Sequence, residues 1–244
     1  MAKSKSVALF QQDQNAALPA HLQQDAGLGN DNVRTEDMAV PRLDLIQQLS
    51  PQLDPSSPKY LEGAKLGHLF DSLSGDLYDF VFVINLYFES KFQVFKKRKF
   101  GGGFEGSFDT EAEAAAHLQA TGQSLDQYDI VDTGIHKCLM LDAEGKPKQP
   151  VLIYMSGSKQ KVSKNWNSAI QLKDPRAARF ASVWTVSSTP EKNRQGQPYQ
   201  NFAIEFAGWA PEDLYAEAKR VYQGLIGGAS FDEAANANST ETVQ

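Results

Sequence analysis

The stretch FVFVINLYFESKFQVFKK, residues 80–97, decides the fold of this chain. Its first half, residues 80–88, is β-branched or aromatic at nearly every position, which is typical of a buried β-strand. The pattern continues through residues 91–97, either as a second strand or as an extension of the first. Because strand side chains alternate, Phe92, Val94 and Lys96 share one face, and the other carries Lys91, Gln93, Phe95 and Lys97. The second face combines a ring with cations, as a binding face would.

Strand-like segments on both sides of this stretch come in pairs. Residues 67–79 form a predicted hairpin with its turn at Ser74 and Gly75, and residues 135–141 and 151–155 flank a second turn. Residues 180–187 and 201–209 are separated by a polar loop, residues 190–200. Such pairs favour a mainly β chain with short helices (α+β), built as an antiparallel sheet or as a barrel like the oligonucleotide-binding (OB) fold.

Three helices are expected between the strands. Thr110 and Glu113 form the capping box of a helix over residues 110–120. Residues 160–172 make a second helix, and Pro211 begins a C-terminal amphipathic helix with apolar side chains at helical spacing.

The termini differ in composition from the centre. Residues 1–35 are rich in Gln, Asn, Ala, Asp and Gly without an apolar period, which predicts a disordered arm. Residues 36–228 are expected to form a single β-rich domain, and residues 229–244 a flexible, mildly acidic tail.

Composition restricts the class of protein. The one cysteine, Cys138, excludes an internal disulfide and fits a reducing compartment, so we expect a cytoplasmic protein. We predict a small buried side chain for it, on the same strand face as His136. No apolar run approaches the roughly 18 residues of a membrane span.

A basic and aromatic block, KFQVFKKRKFGGGF at residues 91–104, stands out in an acidic chain of net charge −6. Cations neutralise phosphates and aromatic rings stack on unpaired bases, so this mixture suits a single-stranded nucleic acid. Phe95, Phe100 and Phe104 are the candidate stacking rings, and three glycines would let the loop approach a ligand. The alternative is a surface hairpin whose rings face the core.

A second basic block spans residues 159–179 and carries six cations and one acid. Trp166 accompanies it, and a third group follows in the loop and strand at Lys192, Arg194 and Tyr199. The alternative is a solvated helix face with Trp166 packed inward. If the fold brought the basic blocks together, they would form a positive groove on a negative body.

Catalytic signals are few, so we predict a protein that is not an enzyme and needs neither metal nor cofactor. The four histidines lack metal-ligand spacing, and no glycine-rich loop ends in Lys-Ser or Lys-Thr. The enzymatic alternative is a Mg²⁺-dependent nuclease, in which Asp79 and Glu89 would hold the metal and Lys91 would orient water.

The chain resembles bacteriophage single-stranded DNA-binding proteins in three segments taken in order. These are MAVPRLDLIQQLSP (residues 38–51), FVFVINLYF with its basic-aromatic continuation, and SSTPEKNRQGQPYQNFAIEFAGW (residues 187–209) before the last helix. The resemblance implies an OB-like fold and a role in phage DNA replication or recombination in the host cytoplasm. The tail holds only Asp232, Glu233 and Glu241, fewer acids than tails that recruit replication proteins.

We therefore expect single-stranded DNA binding with little sequence preference, with phage replication or recombination proteins as further partners and homo-oligomerisation left open. A phage protein-interaction or virion protein, whose basic blocks face another protein, is the second alternative. The expected nucleic-acid contacts are Lys91, Phe95, Lys96, Lys97, Arg98, Lys99, Phe100, Lys161, Lys164, Trp166, Arg176, Arg179, Lys192, Arg194 and Tyr199.

Overall fold

Nine strands and three α-helices form residues 39–226, the part of the chain that this computed structural model describes. The predicted arm, residues 1–35, and tail, residues 229–244, lie outside the described residues. The strands are β1 (Leu43–Leu45), β2 (Leu69–Asp71), β3 (Leu77–Tyr78), β4 (Phe80–Lys96), β5 (Phe104–Phe108), β6 (Tyr128–Leu141), β7 (Pro147–Ser156), β8 (Ser182–Lys192) and β9 (Pro198–Trp209). The helices are α1 (Glu111–Ala120), α2 (Gln160–Lys173) and α3 (Glu212–Ile226).

The strands form two antiparallel sheets. The larger sheet has the order β7-β6-β4-β8-β9, and β5 pairs with one end of β4. The smaller sheet has the order β1-β2-β3. The mainly β fold with a C-terminal helix is confirmed; of the two predicted arrangements the sheet forms, and the strands do not close into a barrel.

Strand β4 is continuous through residues 80–96, so residues 91–96 extend the first strand and do not start a second. β6 pairs along nearly all of it, from Phe82↔Leu141 to Lys96↔Tyr128. β8 pairs only with its first residues, and β5 only with its last. The last third of β4 therefore projects beyond β8 and carries the basic residues to the end of the sheet.

The two faces of the large sheet are covered differently. One face packs against β1, β2 and α2 in the largest core cluster, which includes Val83, Met140, Ile153 and Trp184. The other face packs against α3 through a second cluster that includes Leu214. Helix α1 closes a third, smaller cluster over the projecting end of β4. The central strands carry apolar side chains on both faces, because each face packs against its own core cluster.

Strand β1 bridges the two edges of the large sheet. At one edge it forms a parallel bridge between Arg42 and Leu152 of β7. At the other edge the Gln47 side chain donates to the Gln200 carbonyl of β9 and accepts from the Gln200 amide, both at 2.9 Å. The described part of the motif, residues 39–51, thus spans the gap that keeps the sheet from being a barrel.

Helix α2 packs closely against β6 because Gly134 of β6 lies beneath the helix and has no side chain. A Cβ atom at Gly134 would lie 2.7 Å from Ser163 Oγ and 3.1 Å from the Phe88 ring. Ser163 in turn bonds His136 Nε2 at 2.8 Å, and the His136 ring stacks on Trp166 with centroids 4.5 Å apart.

Most elements expected from the sequence form. The capping box of Thr110 and Glu113 begins α1, and the hairpin at residues 67–79 and the pairing of β8 with β9 are present. Cys138 is buried, and burial raises the pKa of its thiol, so the thiol stays protonated and unreactive. Strand β5 was not predicted, and several residues assigned to the loop of residues 190–200 extend β8 and β9.

Candidate nucleic-acid interface

The last residue of β4 and the turn that leads to β5, together called the loop of residues 96–103, present most of the first basic block at the projecting end of the sheet. Its backbone is closed by hydrogen bonds from the Lys96 amide to the Gly103 carbonyl at 2.8 Å and from the Phe100 amide to the Lys97 carbonyl at 2.8 Å. Gly101, Gly102 and Gly103 all have positive φ, at 110°, 69° and 127°. Side chains rarely adopt this conformation, so the glycine run is what permits the tight return into β5.

Phe100 is the ring that this loop exposes. Its side chain is 40% exposed, and the Lys99 Nζ lies 4.9 Å from the ring centroid. Phe95 and Phe104 instead pack on each other across β4 and β5, with centroids 5.5 Å apart, and both are half-buried. One exposed ring flanked by cations is a stacking platform of the size of a single base.

Acidic neighbours compensate part of the positive charge. Lys97 donates to the Asp126 carbonyl at 3.0 Å and pairs with Asp129 at 3.6 Å. Lys91 pairs with Asp109 at 2.6 Å. These two lysines hold the loop and α1 against the sheet, and the other cations of the loop are Lys96, Arg98 and Lys99.

The second block contributes Lys161 and Lys164, which are exposed on the N-terminal half of α2. The hairpin of β8 and β9 comes near Lys161, whose charge acts on the carboxylate of Glu191 in this hairpin. Hydrogen bonds from Tyr199 and Asn201, and then that charge, lower the pKa of Glu191. Lys192 and Arg194 are exposed near the turn of the same hairpin. The hairpin that carries Lys192 and Arg194 therefore approaches the N-terminal half of α2 at Glu191.

The prediction for Trp166 is wrong. Its side chain is 1% exposed and lies between His136 and Trp184, so it cannot stack on a base. The inward-packing alternative holds, because Trp166 occupies the apolar face of α2.

Two arginines of the second block are held by other side chains. The Arg179 guanidinium donates to Asn85 at 2.8 Å and to Asn167, and lies over the Phe88 ring. Its burial lowers the pKa of that guanidinium, which marks a structural role. Arg176 is exposed and bonds the carboxylate of Asp174 through two nitrogens.

The two basic blocks stand apart along the sheet. Gln160 at the start of α2 donates to the carbonyl of Asp132, and the loop begins beside Tyr128, four residues further along β6. Four strand residues span about 13 Å. Asp129 and Asp132 lie in that interval, so the positive surface is two patches with acids between them.

An exposed tryptophan was missed by the sequence analysis. Trp209, the last residue of β9, is 51% exposed, and it packs edge-on against Phe206. The Lys173 ammonium lies 4.1 Å from the centroid of the Phe206 ring. The signal that could have found it is its position at the end of a strand, just before Ala210 and Pro211.

The nuclease constellation does not assemble. Asp79 pairs with His68 at 3.3 Å, Glu89 with Lys137 at 2.9 Å, and Lys91 with Asp109. Ten residues of extended chain place Asp79 and Glu89 about 30 Å apart, too far to share one ion. Among residues 39–226 no group of three or more His, Cys, Asp or Glu is arranged to hold a metal.

A family model described as "Pam3 phage gp34-like protein" matches residues 11–230. Neither a curated protein nor a solved structure gives a match. No helix in the described part of the chain is long and apolar enough to cross a membrane.

Proposed function

We propose that this chain, which belongs to the Pam3 phage gp34-like protein family and is a phage protein, binds single-stranded DNA without catalysing a reaction on it. The binding would have little sequence preference and would serve phage DNA replication or recombination. Other phage proteins of those processes are the partners we expect to meet on the same strand.

The observation that carries the proposal is the loop of residues 96–103. It joins an exposed ring, Phe100, to the cations Lys96, Arg98 and Lys99 on a backbone fixed by three left-handed glycines. A stacked base contributes roughly 1–3 kcal/mol whatever its identity, and phosphate contacts are equally insensitive to sequence. A duplex hides its base faces, so the ring favours an unpaired strand.

The first test is fluorescence anisotropy with a labelled oligo-dT and a matched duplex at several salt concentrations. We expect tight, salt-sensitive binding to the single strand alone. In a triple variant, Lys96→Ala, Arg98→Ala and Lys99→Ala, the slope of log affinity against log salt should fall by about 2, since each lost contact to a single strand removes about 0.7. Lys97 is left in place because it holds the fold.

The matched control removes three exposed lysines far from the loop: Lys65, Lys146 and Lys219. Net charge changes equally, so a slope that falls as much in the control would show that overall charge, and not the loop, determines binding. Phe100→Ala should weaken binding at every salt concentration without changing the slope. No binding to either oligonucleotide at low salt would contradict the proposal, and stable assembly with a protein would then favour the interaction or virion alternative.

A further inference from the structure

A cavity of about 560 Å³ lies beside β1, away from the loop of residues 96–103. Its walls come from β1, the turn between β2 and β3, the segment of residues 50–61 and the residue that precedes α2. The volume falls within the roughly 300–1,000 Å³ of small-molecule sites. No part of the site described above uses these walls.

Lys159 is the unusual side chain of this cavity. Its ammonium lies 5.2 Å from the centroid of the Phe202 ring, and within residues 39–226 it forms no hydrogen bond or ion pair. Burial lowers its pKa, and the nearby charge of Asp44 acts in the opposite direction. A shielded ammonium without an acceptor is costly unless a ligand supplies one.

The remaining charges leave the cavity suited to an anion. Arg42 lines it and pairs with Asp44 at 3.3 Å. The second carboxylate, Asp71, is already engaged, because Oδ1 accepts from the amides of Leu73 and Ser74 and Oδ2 accepts from Gln149. Lys59 also lines the cavity, so the lining holds three cationic side chains and two carboxylates, of which Asp71 is already engaged.

Hydroxyl donors complete the polar side. The hydroxyl oxygen of Ser72 accepts from the Arg42 amide at 2.8 Å, and that of Ser50 accepts from the Gln47 amide at 2.8 Å. Each oxygen is thus oriented by the backbone, and its proton can be donated to a ligand oxygen. The apolar part of the lining includes Val40, Leu61 and Phe70.

We propose that this cavity binds a nucleotide, with its phosphate against Lys159 and Arg42 and its base and sugar against the wall of Leu61 and Phe70. The cavity volume accommodates a ligand of this size. Lys159 offers the phosphate a cation, and the apolar wall offers the base and the sugar a contact surface. The nucleotide can be free or a residue of a DNA strand, and both offer the same chemistry. The inference does not depend on the loop, so it can be tested separately from the proposed function.

The experiment is isothermal titration calorimetry of the full chain with dTMP, dAMP, thymidine and inorganic phosphate. We expect saturable binding of a deoxynucleoside monophosphate and at least tenfold weaker binding of thymidine and of inorganic phosphate. Lys159→Met, which keeps the length of the side chain over Phe202, should weaken nucleotide binding at least tenfold. Lys219→Met, at an exposed lysine of α3 outside the cavity, should bind as the wild type does.

Three results would overturn the assignment. They are the absence of saturable binding of either nucleotide to the wild type, unchanged binding in a folded Lys159→Met variant, and inorganic phosphate binding as tightly as dTMP. Near-ultraviolet circular dichroism and a melting curve establish that the variant is folded. The loop triple variant should keep its dTMP binding, so failure of one proposal is distinguishable from failure of the other. Displacement of labelled oligo-dT by dTMP would identify the ligand as a strand residue, and its absence would identify a free nucleotide.

Discussion

At the scale of single residues, the hydrogen bonds around the buried His136 allow only the neutral ring with its proton on Nε2. Asn85 Oδ1 accepts from Arg179, so the amide nitrogen of Asn85 faces His136 Nδ1 at 2.9 Å. An amide nitrogen donates, so Nδ1 accepts and the proton of the neutral ring is on Nε2, directed at Ser163. A second proton on Nδ1 would face a donor. Burial, and then the charge of Arg179, lower the pKa of His136 to about 3.

This histidine makes folding sensitive to acid. Between pH 6.5 and about 3 an unfolded chain binds a proton at His136 that the folded chain does not, so the free energy of unfolding falls as pH falls. The contribution to the slope approaches 1.4 kcal/mol per pH unit, and above pH 6.5 it vanishes. Urea titrations at a series of pH values measure it. In His136→Gln the slope over this window should decrease. Equal slopes in the wild type and His136→Gln would contradict the argument.

At the scale of elements, the contact between α2 and β6 depends on the missing side chain of Gly134. Gly134→Ala puts a methyl group 2.7 Å from Ser163 Oγ, which must move away from His136. We expect a loss of about 1–3 kcal/mol in the free energy of unfolding, typical of an overpacked core. The control is Gly224→Ala on α3, where a Cβ meets nothing within 4 Å. That change should be neutral or stabilise by up to about 1 kcal/mol. Equal effects of the two substitutions would contradict the close-packing argument.

The same scale shows what the sequence could predict. Local patterns fix β4, the capping box of α1 and the strand pairs, because period and turn residues act over a few positions. β5 was missed because its glycine and serine, GS at residues 106–107, carry no strand signal, and its pairing with β4 supplies the order. The helical spacing of α2 predicted a face for Trp166 but not which face is buried, since that depends on β6 and β8.

For the candidate site too, the local features were predictable from the sequence and the contacts with distant residues were not. The cations and Phe100 of the loop follow from composition and from the glycines, and they lie at an exposed tip. Whether a cation is available depends on distant partners, such as Asp129 for Lys97 and Asn85 for Arg179. The cavity at Lys159 was not predictable, because its walls come from segments more than 80 residues apart.

At the scale of the whole molecule, β1 and the residues after it contact both edge strands, β7 and β9, which in a closed barrel would pair with each other. The strand order β7-β6-β4-β8-β9 ends at two edge strands, β7 and β9, and unpaired edges invite pairing with other chains. The bridge at Leu152 occupies part of one edge, and the Gln47 amide satisfies both backbone groups of Gln200 on the other. The segment at residues 39–51 is therefore a structural closure as well as one wall of the cavity.

This closure predicts a specific effect of a single side chain. Gln47→Ala removes two hydrogen bonds and leaves the amide and carbonyl of Gln200 without that partner, so the free energy of unfolding should fall by about 1–3 kcal/mol. The adjacent Gln48 is exposed, and Gln48→Ala should change it by less than about 0.5 kcal/mol. Urea unfolding gives both values, and amide hydrogen exchange should show faster exchange at Gln200 in the first variant only. Equal stability of the two variants would mean that the core beneath β1, and not the amide bridge, holds this segment to β9.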